Sequence, residues 1–503
     1  MRMLLWIFIG ALLGVALLPY ALFRQSELPP GTNLSSPNFS YSHARLLVDH
    51  TAWDASREAY VQKHEIFDTI LEEIEAAETF IIADFFLWNP WHGAVEASGE
   101  LRSLAEELAD ALISRRIRNP EMPILVITDP VNRIYGDQAP AFYDRMAGAN
   151  IPVVFTDVSQ LPDSNRLYAP QAAFWSQYLP ESEQRLVPNP FDSEGDKLTF
   201  AQLGRLLYFK ANHRKVLITG RRDSAPRLLT GSFNPADGSA NHSNLGVVVD
   251  GAVAIYAAHS ELEIAGWSAA DPAQVQGGLG LLAAEAITRI RGALPRADAL
   301  PEAATGASGV AYRSEGAIQH ELTLQLNRTG PGDRIDAGIF YFSDRKVVAA
   351  LLEAVARGAR LRLIMDANRD AFGRKKSGVP NRAVAAELMQ AGGAVEVRWA
   401  ATHGEQFHSK VLRIRGSLQD SLFLGSANWT RRNLANLNLE ANLLFQESGE
   451  LGSEFDRYFE TLWTNSSGNL ETLPYEDWAE TGWSLRWKTW LYRFQEWSGA
   501  STF

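Results

Sequence analysis

Apolar positions along this chain form two series of strand and helix signals in the same order. Phe80-Ile81-Ile82-Ala83-Asp84-Phe85-Phe86 reads as a buried strand, Leu101, Leu104, Leu108 and Leu112 then recur at helical spacing, and Ile124-Leu125-Val126-Ile127-Thr128 forms a second strand ending on Asp129. The second series repeats this plan. A strand around Ile339-Phe340-Tyr341-Phe342 is followed by a helix from about Asp344 to Arg357, then by Leu361-Arg362-Leu363-Ile364-Met365 ending on Asp366. Strand, helix and strand in this order predict βαβ units with parallel pairing. Short helices near His64-Glu65 and His320-Glu321 precede the two series. Those two histidines occupy matching positions, which points to the fold rather than to chemistry.

The chain ends carry different patterns. Leu4 to Phe23 is almost wholly apolar between Arg2 and Arg24, long enough for a membrane-crossing helix. No small-residue cleavage pattern precedes Ala21, so an uncleaved anchor is expected ahead of a cleaved signal peptide or a buried helix. An anchor with its N-terminus inside would place the body of the chain on the extracytoplasmic, periplasmic side. Gln25 to Tyr41, with Pro29-Pro30-Gly31 and Ser35-Ser36-Pro37, reads as a linker. At the other end Trp483, Trp487, Trp490, Leu491, Phe494 and Trp497 fall at helical spacing with Arg486, Lys488 and Arg493 between them. This suits a helix lying at a membrane interface, or one docked on the body with its aromatic side chains in the core.

Composition narrows the possibilities. At 503 residues the chain exceeds one ordinary core, and a duplicated unit satisfies that length. The net charge of −12 weighs against binding nucleic acid through a global field, although a local basic cleft remains compatible with it. The absence of cysteine removes disulfides, thiolate metal sites and a cysteine nucleophile.

The chemistry lies in His213-Arg214-Lys215 and His408-Ser409-Lys410. On a strand, residues i and i+2 share a face, so each His and Lys project together. Gly231-Ser232-x-Asn234 follows the first motif and Gly425-Ser426-x-Asn428 the second, with Asn244 and Asn438 further on. The offsets agree to one residue in the two copies. Two imidazoles and two ammonium groups around one anion suit phosphodiester cleavage: one neutral His attacks phosphorus, and the other protonates the leaving alkoxide. No metal or cofactor is required by this set.

With these residues the chain resembles the phospholipase D superfamily, whose signature is His-x-Lys-x4-Asp followed by Gly-Ser-x-Asn and Asn-x-Glu. The resemblance spans roughly residues 45 to 465. It implies an α/β fold of two pseudo-symmetric α/β/α halves from an internal duplication, with the active site at their interface. The implied layout is 1–24 anchor or signal, 25–44 linker, 45–300 first half, 301–465 second half and 466–503 Trp-rich segment. It implies His213 as nucleophile and His408 as general acid. Lys215, Lys410, Asn234 and Asn428 would bind phosphate, Ser232, Ser426, Asn244 and Asn438 would contact substrate, and Glu440 would orient a His. Two departures stand out. Gly220 and Arg415 occupy the places of the family's Asp, and Asn244-Leu245-Gly246 lacks the carboxylate that Asn438-Leu439-Glu440 keeps.

The expected partner is a phospholipid at a membrane, handled by hydrolysis or by cardiolipin-synthase-like transfer. A metal-independent nuclease of the same superfamily, using Arg221, Arg222, Arg374, Lys375, Lys376, Arg431 and Arg432 as a basic groove, is the alternative, and a non-catalytic scaffold the third. Pro162 to Phe209 differs from its counterpart in the second half and reads as a lid or substrate-shaping insertion. His242, His403 and the Asp366–Asp370 run with Arg374 to Lys376 are further candidates for the cleft.

Overall fold

The computed structural model describes residues 14, 17–54, 56, 59–91, 101–133, 140–175, 184–188, 197–304, 306–371, 374–417 and 419–501. The first half contains β1 (Ala44–Asp54), β2 (Ala59–His64), β3 (Ile81–Phe85), β4 (Ile124–Thr128), β5 (Val153–Phe155), a small hairpin of β6 (Arg185–Val187) and β7 (Leu198–Thr199), β8 (Lys215–Thr219), β9 (Arg227–Gly231) and β10 (Asn244–Asp250). The second contains β11 (Gly309–Ser314), β12 (Arg334–Ile339), β13 (Arg360–Met365), a hairpin of β14 (Asp370–Ala371) and β15 (Arg374–Lys375), β16 (Val395–Ala400), β17 (Lys410–Arg415), β18 (Asp420–Gly425), β19 (Ala441–Gln446) and β20 (Thr472–Pro474).

Two eight-stranded sheets result, ordered β2-β1-β10-β9-β8-β3-β4-β5 and β11-β19-β18-β17-β12-β13-β16-β20. Seven strands correspond one to one. Each sheet then adds its own edge strand, β2 in the first and β20 in the second. The βαβ expectation holds: β3 and β4 pair in parallel around the helix Leu104–Arg118, and β12 and β13 around Arg345–Ala356. Asp344 caps the latter helix, its carboxylate accepting from Lys346 N and Val347 N at 3.0 Å each.

The strand expected around Ile339–Phe342 lies at Arg334–Ile339 instead. Phe340 leaves the ladder, its N–H donating to Ser409 O at 2.9 Å, and turns toward the His408-Ser409-Lys410 segment. Its apolarity serves ring packing there rather than sheet burial. Similarly, the helix expected near His320 begins at Gly316. The linker is also more than a tether. Ser35 and Phe39 bridge to Arg313 and Val310 of β11, covering the open edge of the second sheet.

Three apolar clusters hold the molecule. One lies within the first half and includes Ile81, Phe85, Leu108 and Phe142, and one lies within the second and includes Ile335, Leu351, Leu363 and Trp399. The third spans both halves, joining Val216, Val247 and Leu262 to Val411, Leu424, Leu443 and Phe455. The sheets therefore share a core, and the halves form one body. The anchor expected at Leu4–Phe23 falls largely outside the described residues, of which 17–22 are helical. Among the described residues no helix is long and apolar enough to cross a membrane.

The Gly of each Gly-Ser-x-Asn motif is a packing requirement. A Cβ at Gly231 would collide with the Leu245 carbonyl and Gly246 Cα of β10, and one at Gly425 with the Ala441 carbonyl and Asn442 Cα of β19. Gly231→Ala and Gly425→Ala are each expected to destabilise the fold by about 1–3 kcal/mol. Gly266→Ala, in the open middle of the helix Ala252–Ala269, is expected to stabilise it by up to about 1 kcal/mol. Denaturant unfolding of the three variants checks the contrast.

Candidate functional site

β8 and β17 begin at the two motif lysines, so each His sits two residues before its strand and faces the same way as its Lys. Arg214, between His213 and Lys215, faces the opposite side. It is fully buried between Glu261 (3.1 Å) and Glu315 (2.7 Å), which fixes the backbone of the motif. Both histidines line one cavity of about 1090 Å³. Asn234, Asn428, Asn438 and His242 share its lining, and Leu22, Phe23, Phe174, Leu206 and Phe209 contribute apolar wall. The symmetry of the two motifs extends to details. Lys215 Nζ donates to His213 O, and Lys410 Nζ to His408 O, each at 2.6 Å.

Each His is oriented from the opposite half. His213 Nδ1 donates to Glu440 Oε1 at 2.7 Å, and Glu440 is closed off by Ser426 Oγ, Asn433 Nδ2 and the pairing of its own N–H with Glu315 Oε1 at 2.9 Å. His408 Nδ1 donates to Asn244 Oδ1 at 3.1 Å, and that oxygen also accepts from Ser232 Oγ at 2.9 Å. Spacing pairs Asn244 with Asn438, but strand register pairs it with Glu440. Ser232 N donates to Leu245 O and Ser426 N to Ala441 O, which makes the residues just before them, Asn244 and Glu440, equivalent. The second-copy loop is two residues longer because it holds the helical turn Arg431–Leu434. By the same register His242 is the counterpart of Asn438. Gln406 N donates to His242 Nδ1 at 3.3 Å, as Ala211 N does to Asn438 Oδ1 at 3.1 Å.

The structure therefore divides the expected substrate contacts. Asn438 lines the cavity, while Ser232, Ser426 and Asn244 are buried behind the histidines and position them. Asn234 and Asn428 line the cavity with buried amide oxygens that have no protein partner. Turning either amide over presents N–H donors to an anion. His403 also lines the cavity, stacked on Trp53 with ring centroids 5.2 Å apart. Among the described side chains of the Asp366 run, none lines it, and Arg369 lies over the Trp478 ring, 4.6 Å from its centroid. The first-copy equivalent does, through Asp129, Val131 and Arg133. The described part of the Pro162–Phe209 insertion supplies Asp163, Phe174, Arg205 and Leu206 to the wall.

Two pairs of residues hold roles that the sequence did not assign them. Phe86 and Phe340, each just past a strand end, pack on His213 and His408 with centroids 4.7 and 4.8 Å away. Lys215 and Lys410 Nζ lie 5.1 Å from the same two rings. Asp129 and Asp366 accept from the N–H groups of Asn212 (2.7 Å) and Phe407 (2.9 Å), the residues before each His. Their signal was present, since both repeated strands end on Asp, but nothing in the sequence linked it to the motifs.

Burial dominates the electrostatics. It pushes His213 down to about 4, with Glu440 opposing and Lys215 adding to the fall. It depresses His408 well below the usual His range, helped by Lys410 and His242, with no carboxylate in opposition. Lys215 falls to about 7 through burial, and Lys410 is also pushed well below the usual Lys range by burial and the nearby Lys215 charge. This is a cleft built for an anion: a bound phosphodiester would offset the ammonium charges and raise both imidazoles toward protonation.

The two departures from the family signature also resolve. Gly220 and Arg415 lie five residues along the strands from the lysines, about 16 Å away. A Cβ at Gly220 would collide with Thr79 Oγ1 and the Phe80 ring, so no Asp fits there. Arg415 pairs with Asp336 at 2.5 Å and Asp456 at 3.1 Å. The position is structural in both halves.

Comparison with known proteins agrees. Residues 323–463 match the family model described as cardiolipin synthase, PLD-like domain. Phosphatidylserine synthase from Haemophilus influenzae Rd KW20 is similar over 93% of this chain and 96% of its own, at 12% identity and a TM-score of 0.54, which shows a shared fold. Nuc, a phospholipase D family member from Salmonella typhimurium, is similar over 31% of this chain and 95% of its own, at 17% identity and a TM-score of 0.27. No curated protein matches the chain in sequence. The second half of this chain is therefore similar in sequence, over residues 323–463, to the cardiolipin synthase, PLD-like domain family, and the chain as a whole shares its fold with the Haemophilus phosphatidylserine synthase.

Proposed function

We propose that the protein is a phosphatidyltransferase or phospholipase D-like hydrolase that cleaves phospholipid diesters through a phosphohistidine on His213. The observation that carries this reading is the cavity lined by both motif histidines, one from each half, with Lys215 and Lys410 buried just behind them and apolar side chains in its wall. His213 keeps Nδ1 on Glu440, which leaves the Nε2 lone pair for phosphorus. As the P–N bond forms, the bond to the leaving alkoxide breaks, and His408 Nε2–H gives it a proton. Water or an acceptor alcohol then attacks phosphorus, His408 takes its proton, and the P–N bond breaks. The lysines and the Asn234 and Asn428 amides stabilise the charge developing on the other phosphoryl oxygens. Glu440 makes His213 the better base, whereas the neutral Asn244 amide leaves His408 the better acid.

Lipid is favoured over nucleic acid by the wall and by the fate of the arginines. Arg221 is held by Glu73 at 2.7 Å, and Arg431 contacts Glu496 and Ser164. Arg432 does line the cavity, but its guanidinium is taken up by Gly499 O and Ser501 O, to which it donates. The catalytic body is placed by this proposal on the extracytoplasmic side of the membrane anchored by the N-terminal apolar segment.

Labelled phosphatidylglycerol, with a chelator present, is expected to give phosphatidic acid or cardiolipin. Strong cleavage of single-stranded DNA without lipid turnover would sink the proposal. His408→Ala is expected to retain label from a substrate with a good leaving group and His213→Ala is not; label kept by His213→Ala would reverse the two roles. Loss of either His should lower kcat on the order of 10²–10⁴-fold.

The pH profile separates the two histidines. The acid limb of kcat/KM reports protonation of His213 and is expected near 4. The alkaline limb reports deprotonation of the acid His408. In Asn244→Asp a carboxylate replaces the amide, favours the imidazolium, and should move the alkaline limb to higher pH. An unchanged alkaline limb in Asn244→Asp would remove His408 from the acid role. Glu440→Gln should instead lower the acid limb and the rate together.

A further inference from the structure

The helix Gly482–Ser498 presents an unusual surface. Trp483 (78% exposed), Trp487 (50%), Trp490 (54%), Phe494 (36%) and Trp497 (55%) lie along it in the open. Their rings stack, Trp487 on Trp490 with centroids 5.0 Å apart and Trp490 on Phe494 at 5.5 Å. The expectation that a docked helix would bury these aromatics is corrected by the structure. The helix docks through its other face. Tyr492 is buried, its hydroxyl donating to Glu387 at 2.8 Å, and Glu496 accepts from Ser343 Oγ at 2.5 Å and Arg431 N at 3.1 Å. The aromatic stripe, about 21 Å long from Trp483 to Trp497, is left outward.

Its position ties it to the cleft. At the helix end, Arg166 N donates to Ser498 O at 2.7 Å and Arg432 donates to Gly499 O at 3.0 Å; Arg432 also lies over the Phe209 ring, and both line the cavity. The N-terminal segment fastens to the same stretch. Tyr20 Oη donates to Leu167 O at 2.8 Å and Gln25 Nε2 to Asp163 O at 2.9 Å, while Leu22 and Phe23 join the cavity wall. Leu17, Leu18 and Leu22 are exposed, at the end of the apolar sequence that begins at Leu4. Apolar elements from both chain ends thus converge on residues 163–167 at the edge of the cavity. Beside the aromatic stripe, Arg486 and Arg493 line a shallow groove with Gln390 and Trp490.

We propose that this helix is an interfacial docking element for a bilayer containing anionic phospholipid, holding the cavity edge against the leaflet from which the lipid substrate enters. Indoles partition to the headgroup level, and Arg486 matches anionic headgroups in charge, while Arg493 beside it is shared with Glu387 at 3.3 Å. A second copy of the chain would account for an apolar face but not for basic residues set among indoles. The inference rests on the proposed lipid chemistry for the identity of what enters the cavity, but not for the docking itself.

The chain has no cysteine, so Trp490→Cys in the full-length protein offers a single site for an environment-sensitive nitrobenzoxadiazole label. Adding vesicles of phosphatidylcholine with phosphatidylglycerol is expected to blue-shift and brighten the label, with quenching by shallow spin-labelled lipids. A label unchanged by vesicles overturns the proposal. So does one shielded beforehand at every protein concentration, which would mean the N-terminal segment covers it, or one whose shielding follows protein concentration, which would mean a second copy does. Trp487→Gln/Trp490→Gln/Trp497→Gln should lose at least about tenfold in turnover of vesicle substrate while keeping turnover of a dispersed short-chain phospholipid. Equal loss on both, with the fold intact, would make the helix a support of the catalytic body and overturn docking. Normal insertion of the label without lipid turnover would uphold docking and refute only the proposed reaction.

Discussion

The contact on which the site depends is the buried pair of Glu440 and His213, made across the boundary between the halves. A carboxylate with no solvent exposure costs several kcal/mol to desolvate unless its oxygens are satisfied. Here Ser426, Asn433 and His213 satisfy them, and Glu315 joins the Glu440 N–H to the buried Arg214 guanidinium. Separating the halves would strand this chain of charges along with the shared apolar core. The interface is therefore a condition of the fold, and the site inherits its rigidity from it.

Duplication supplied two equal halves, and substitutions within matching loops made them unequal. Around His213 the second half places Glu440 and Asn438; around His408 the first half places Asn244 and His242. One imidazole leans on a charge and the other on a dipole. Burial depresses both, so the carboxylate is what separates their basicities. A reaction that needs one nucleophile and one acid is served by that difference, whereas two identical pairs would compete for one proton.

The same loops show why sequence spacing misassigned a residue. Motif offsets agreed to one residue because the loop after each Gly-Ser-x-Asn differs by only two, and a count along the chain cannot tell an inserted helical turn from a shifted strand. Hydrogen bonds from Ser232 and Ser426 to the adjoining strand fix the register and move Asn244 from substrate contact to support of His408. Phe86 and Phe340 were hidden for a related reason. Each is one apolar residue at the end of an apolar run, and only the turn out of the sheet gives it a ring partner.

By itself the sequence determined the duplication, the βαβ units and the residues able to do the chemistry, because periodicity and repeated motifs are local properties of the chain. The tertiary structure decided which half serves which histidine, since that contact crosses 227 residues of sequence. It also decided which face of the last helix is covered. The spacing of Trp483 to Trp497 defines a stripe, but whether a stripe turns inward depends on the opposite face, where Tyr492 and Glu496 find buried partners and leave the indoles outside.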